Sequence, residues 1–285
     1  MKRNLYHTSI SKVAYRRILI LALIICLGCQ QARAQYTVLA VRGEANLVKA
    51  DGKSVMELGL GDNLPKTAKL RIGSTGAVLV WAENNLQEVT SSHDGQALSS
   101  LPITSNLPSA VFLAEPTIKY LANPNESPIY SIRDRLALQY SISDYPLDSI
   151  NGFMLNIAVK FGGKNNIKKR CSTWGDSVVI DRSAMALPSF GAYGGPGQLF
   201  YFTKETTFYK LLGNVVLLDK SFVKSSLEPL KGLFGQLPPA TQRQRLTQYI
   251  MWCYPTLLQA DCQILVNEWE SETTRMVKKS GKRTK

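Results

Sequence analysis

Two histidines, five cysteines and twenty-one acidic residues are the raw material for chemistry in this 285-residue chain. His7 falls in a basic N-terminal segment, so any Ser-His-Asp or Cys-His arrangement must use His93. His93 stands in Ser91-Ser92-His93-Asp94-Gly95, a polar stretch that reads as an exposed loop rather than a catalytic relay. No G-x-S-x-G, H-E-x-x-H or EF-hand pattern occurs. Beyond the N-terminal segment one histidine remains, which excludes a multi-histidine zinc site, and residues 35–285 hold no C-x-x-C pair. No catalytic residue, metal ligand or cofactor site is therefore assigned. Paired carboxylates remain open as a route to glycan hydrolysis, because one sequence does not show which acids meet. Cys171, Cys253 and Cys262 are odd in number, so a fully paired disulfide set is excluded. Cys253 and Cys262 lie too far apart along a helical stretch to bridge, whereas Cys171 with either stays open.

The elements that carry these residues begin with an address. Residues 1–34 contain six basic residues and no acid, and Ile18 to Leu27 is an unbroken apolar run. Ala32-Arg33-Ala34 follows. A charged start, a short apolar stretch and an Ala-x-Ala site together predict a secretory signal peptide over 1–34, cleaved after Ala34. Ten residues at about 1.5 Å each cover about half of a ~30 Å bilayer core, too little for a stable span. Leu27-Gly28-Cys29 offers a second route, because it resembles the end of a bacterial lipobox and would place lipid on Cys29. The formal charge of +13 is concentrated at the two ends. With bases counted out at both termini, the body is near neutral, which argues against a nucleic-acid-binding domain.

Short apolar runs with regular turn signals fill residues 36–90. Tyr36 to Val41, Glu44 to Lys49, Ser54 to Leu58, Leu70 to Ile72, Ala77 to Trp81 and Leu86 to Val89 read as strands. Asp51-Gly52, Gly61-Asp62, Gly73 to Gly76 and Glu83 to Asn85 read as turns between them. That rhythm predicts a small all-β sandwich or barrel. Val41-Arg42-Gly43-Glu44, Asp51-Gly52-Lys53, Leu60-Gly61-Asp62-Asn63-Leu64, Leu70-Arg71-Ile72-Gly73 and Ala77 to Val80 resemble a FecR-like domain over about 55 residues. Ile72 stands where that family often has Thr, and Asn84-Asn85 where it often has Asp-Gly. The resemblance implies a stand-alone exported, non-enzymatic module, since no cytoplasmic signalling segment accompanies it. Gly43, Gly61 and Gly73 read as turn residues, and Asp62 as the side chain that closes its own turn.

Residues 91–110 are rich in Ser, Pro, Asn and Gly and read as a linker. A mixed domain of unassigned type is expected over 111–278, with strands at Met154 to Phe161, Val178 to Ile180, Leu199 to Phe202 and Val215 to Leu218. A polar basic loop spans 162–170, and a Gly-rich loop lies at 190–197. A helical pair is expected from about 238 to 278, opened by Pro238-Pro239 and interrupted at Pro255. Its apolar stripes are Leu246, Ile250, Cys253, Leu257 and then Leu258, Cys262, Leu265, Trp269. A basic tail closes the chain at 279–285.

The fold class expected is α+β, with a β module, an extended region and C-terminal helices. The functional expectation is a non-catalytic exported cell-envelope protein with a binding or scaffolding module, in the periplasm or otherwise outside the cytoplasmic membrane. Its partner is expected to be another envelope protein or a cell-wall polymer. Membrane contact is expected only through an uncleaved signal or lipid on Cys29. Two alternatives stay open: an exported carboxylate-dependent hydrolase, and a lipid-anchored accessory subunit.

Overall fold

The computed structural model describes residues 36–49, 51–53, 55–101, 107, 117–118, 128–157, 167–185, 187, 197–203 and 209–281. The expected signal peptide with Cys29 and Ala34, most of the Gly-rich stretch and the end of the basic tail lie outside them. The chain divides into two compact units at Asn106/Leu107. Taken together they give the α+β class: among the described residues the first unit is built of strands with two short 3-10 turns, and the α-helices lie in the second unit. None of the described helices is long and apolar enough to cross a membrane.

The first unit is built from seven strands: β1 (Tyr36–Arg42), β2 (Ala45–Val48), β3 (Val55–Glu57), β4 (Asn63–Leu64), β5 (Lys69–Ile72), β6 (Ala77–Ala82) and β7 (Asn85–Thr90). They form two sheets, ordered β4-β1-β6-β7 and β3-β2-β5. All pairings are antiparallel. Val38, Leu70, Ile72, Val78, Val80 and Val89 fill one core between the sheets. β6 is apolar without alternation because Leu79 and Trp81, on its other face, are buried as well. Glu83 and Asn84 form the two-residue loop from β6 to β7, with φ of +51° and +63°. Positive φ at both positions is the type I′ geometry that matches strand twist.

Residues 91–101, read from composition as part of a linker, are built into this unit. Leu98 and Leu101 are core residues. The Leu98 N–H donates to Ala68 O, the Gly95 N–H to Leu70 O, and the Tyr36 hydroxyl to Leu98 O. Two leucines amid polar residues were enough to anchor the stretch, since the free edge of β5 needed backbone partners.

The second unit contains β8 (Ile129–Ser131), β9 (Arg135–Gln139), β10 (Gly152–Ile157), β11 (Ile167–Arg170), β12 (Ser172–Trp174), β13 (Ser177–Asp181), β14 (Gly197–Phe202) and β15 (Tyr209–Leu217). One sheet runs β11-β10-β14-β15-β8 and the other β12-β13-β9. Among the described strands β15 pairs with β8 in parallel and the other pairs are antiparallel. Leu136, Leu138, Val178 and Ile180 of the smaller sheet share a core with Phe153, Leu155, Leu199 and Val215 of the larger. Cys171 links β11 to β12 at the point where the chain changes sheets, and its N–H donates to Phe153 O.

Four helices follow: α1 (Lys220–Leu227), α2 (Leu230–Phe234), α3 (Pro239–Cys253) and α4 (Gln259–Gly281). The last two match the expected pair, with Pro255 in the break between them. Leu246, Ile250 and Leu257 are buried, as are Leu258, Cys262, Leu265 and Trp269. α1 was not anticipated. Asp219 caps it, accepting the N–H groups of Ser221 and Phe222. Lys220 and Lys224 meet Glu268 at 2.5 and 3.3 Å, and Lys224 and Lys231 meet Glu272 at 2.8 and 3.0 Å. These pairs fasten α1 and α2 to α4.

Candidate functional site

The turn residues Gly43, Gly61, Asp62 and Gly73 gather at two places in the first unit. At one, the β1–β2 turn and the β5–β6 turn pack backbone to backbone. Gly43 adopts φ +63°, and a Cβ there would come within 3.1 Å of Gly76 Cα and Thr75 O. The Gly73 N–H donates to Glu44 O at 2.9 Å, and the Gly76 N–H to Gly73 O at 2.8 Å. Gly76, which the sequence places only as the end of a turn, is the tightest point. A Cβ on it would lie 2.4 Å from Glu44 O and 2.9 Å from Ile72 Cγ2. The second Gly of Gly-Ser-Thr-Gly was the available signal.

At the other place, Gly59 to Asp62 folds against β1. The Gly61 N–H donates to Val38 O and the Val38 N–H to Asp62 O, both at 2.8 Å. Asp62 Oδ2 accepts the Gly59 N–H at 2.7 Å. Gly61 adopts φ +89°. Gly43, Gly61, Asp62 and Gly73 thus all sit in turns, and the one acid among them is engaged with its own loop.

His93 is held in place by its neighbours. The Thr90 N–H donates to His93 Nδ1 at 3.2 Å, which caps a single 3-10 turn over Ser91–His93. Asp94 Oδ1 accepts the Ile72 N–H at 2.9 Å. The nearby carboxylate therefore secures β5, and no Ser-His-Asp relay is assembled there.

A groove of about 480 Å³ opens between the β2–β3 connection and the segment leading into β5. Leu47, Val48, Pro65 and Ala68 provide apolar lining, and Lys49 and Lys69 the charge. Lys69 is the cross-strand partner of Val48, which sets the two lysines at one end of the sheet. Both side chains are exposed. Neither ammonium has an ion pair among the described residues, whereas the neighbouring Lys66 meets Glu83 at 3.3 Å. Neither acidic nor aromatic residues are among those lining it.

In the second unit the conspicuous polar centre is Asp261, fully buried in the first turn of α4. Its Oδ2 accepts the Ser131 hydroxyl at 2.8 Å and the Ile132 N–H at 3.0 Å, while Oδ1 accepts Arg133 Nε at 2.5 Å. The Arg133 N–H in turn donates to Ser131 Oγ. A carboxylate saturated by donors in this way ties the end of β8 to α4. No disulfide joins the three described cysteines. Burial pushes the Cys171 thiol up to about 12 and the Cys262 thiol up to about 11, which suppresses the nucleophilic thiolate. Among the described residues no group of three His, Cys, Asp or Glu side chains could hold a metal ion. Compared with known proteins, the chain matches no family model, no curated protein and no solved structure.

Proposed function

We propose that the chain is a non-catalytic exported protein of the cell envelope, whose FecR-like first unit serves binding or scaffolding. The observation that carries this reading is the groove of the first unit, where two lysines stand over an apolar lining without an ion pair among the described residues. An exposed cationic recess on a small rigid β scaffold suits recognition of another molecule. The export pattern over residues 1–34 supplies the compartment, outside the cytoplasmic membrane. His93, Asp94, Asp62 and Asp261 are all engaged in holding the fold, which is consistent with a scaffold.

The test is a pull-down of the tagged chain from crosslinked envelope, run beside hydrolysis assays on cell-wall and glycan substrates with purified residues 35–285. A reproducible envelope adduct without hydrolysis is expected. Robust hydrolysis abolished by one Asp or Glu substitution would overturn the reading. Fatty-acid labelling lost on Cys29→Ala would place the protein on the membrane surface instead of releasing it at Ala34.

A further inference from the structure

We infer that the groove of the first unit seats an extended acidic segment of a partner protein. The inference rests on the binding reading above and gives it a place and a chemistry. Charge complementarity is the first argument. Lys49 and Lys69 line the groove and no acid is among its described lining residues; Lys53 stands one residue beyond Gly52, and Asp51, between Lys49 and Lys53, accepts the Lys53 N–H at 2.9 Å. The described part of the first unit holds six bases and seven acids, so this cationic cluster is a local feature and not the reflection of a basic domain. Lysines kept together at one end of a sheet repel each other, and an anion between them relieves that repulsion.

The lining decides what kind of anion. Val48, Leu47, Pro65 and Ala68 offer aliphatic surface, and no aromatic side chain is among the described lining residues. Single-stranded nucleic acids bind by stacking bases on aromatic rings, and sugar rings likewise favour broad aromatic faces. A peptide alternating carboxylate and aliphatic side chains places one set on the lysines and the other on the apolar lining, as period-two side chains do in an extended strand. A volume of about 480 Å³ accommodates a few such residues. Recognition by exposed lysines is screened by salt, with a Debye length of about 10 Å at 0.1 M.

The experiment uses residues 35–285 and a fluorescein-labelled eight-residue peptide alternating Glu with Val and Leu, read by anisotropy. Saturable binding is expected, at least tenfold weaker for Lys49→Glu/Lys69→Glu and for the peptide with Gln in place of Glu. Affinity should fall several-fold between 50 and 500 mM NaCl. Lys210→Glu, in the second unit, should bind as the unchanged chain does. Both groove lysines are exposed, and circular dichroism checks that the double variant is folded. Absence of saturable binding, equal affinity for the Gln peptide, or equal affinity of the double variant would each overturn the inference. Tighter binding of polygalacturonate at the same lysines would also overturn it, in favour of an anionic glycan. The wider reading is separated by the envelope crosslink: an adduct that persists in the double variant leaves binding intact and removes only the groove, whereas no adduct with the unchanged chain removes the binding reading itself.

Discussion

Replacing Asp261 by alanine should cost the second unit about 2–4 kcal/mol. The figure follows from what the carboxylate holds. The Ile132 N–H and the Ser131 hydroxyl donate to it inside the protein, at 3.0 and 2.8 Å. A buried donor left without an acceptor costs about 1–3 kcal/mol. Arg133 contributes less, because its side chain is 45% exposed and its guanidinium rehydrates when the partner is lost. A carboxylate in the first turn of α4 adds about 0.3–1 kcal/mol through the helix dipole. Asp261→Asn keeps one acceptor oxygen and should cost about half as much as the alanine. Arg133→Ala should cost below about 1 kcal/mol, as exposed pairs do. The assay is urea unfolding of residues 35–285 followed by circular dichroism at 222 nm, since α1 to α4 all lie in the second unit. With a slope near 3 kcal/mol/M, the midpoint should fall by about 1 M for the alanine variant. A loss under about 0.5 kcal/mol, or an Arg133→Ala effect as large as that of Asp261→Ala, would refute the acceptor argument and assign the stability to the ion pair or to neither.

The turn glycines give a second expectation: Gly76→Ala should destabilise the first unit by about 1–3 kcal/mol through overpacking against Glu44 O, measured by thermal unfolding, and an unchanged melting temperature would contradict the close approach. Glu83→Asn with Asn84→Gly should raise stability by about 1 kcal/mol, because the left-handed region is disfavoured for Glu; an unchanged melting temperature would contradict the turn assignment. Lys220 and Lys224 hold the Glu268 carboxyl below its ordinary value, and Lys224 and Lys231 do the same for Glu272. The folded state therefore gains stability above the unfolded pKa and loses it as pH falls through the depressed folded values. Glu268→Gln/Glu272→Gln should flatten the acid limb of a stability–pH curve, and an unchanged limb would count against the network. In native residues 35–285 at pH 8, Cys171 and Cys262 should resist alkylation while Cys253, half-buried, reacts more readily; mass spectrometry before and after urea reads the difference.

Much of the local structure was legible in the residues themselves. β1, β5, β6 and β7 lie where alternating or β-rich runs meet Gly and Asn turns, because strand propensity and turn chemistry are local properties. Pro239 at the start of α3, Pro255 in the break and the stripes on α3 and α4 were likewise readable, since helical periodicity records the buried face directly. What escaped was set by partners distant in sequence. Residues 91–101 look like a linker until Leu98 is seen accepting the Tyr36 hydroxyl across 62 residues. α1 and α2 are short, at eight and five residues, and Lys220, Lys224 and Lys231 acquire meaning only when Glu268 and Glu272 arrive from α4. Asp261 is one of twenty-one acids in the sequence, and nothing near it announces a buried role. Its donors come from 128 to 130 positions earlier. The same holds for the groove, which Lys49 and Lys69 both line because β2 and β5 pair antiparallel, with Val48 opposite Lys69. Periodicity and turn chemistry act between neighbours and are written in the chain, whereas charge pairing and the satisfaction of buried polar groups depend on distance in space, which only the folded structure sets.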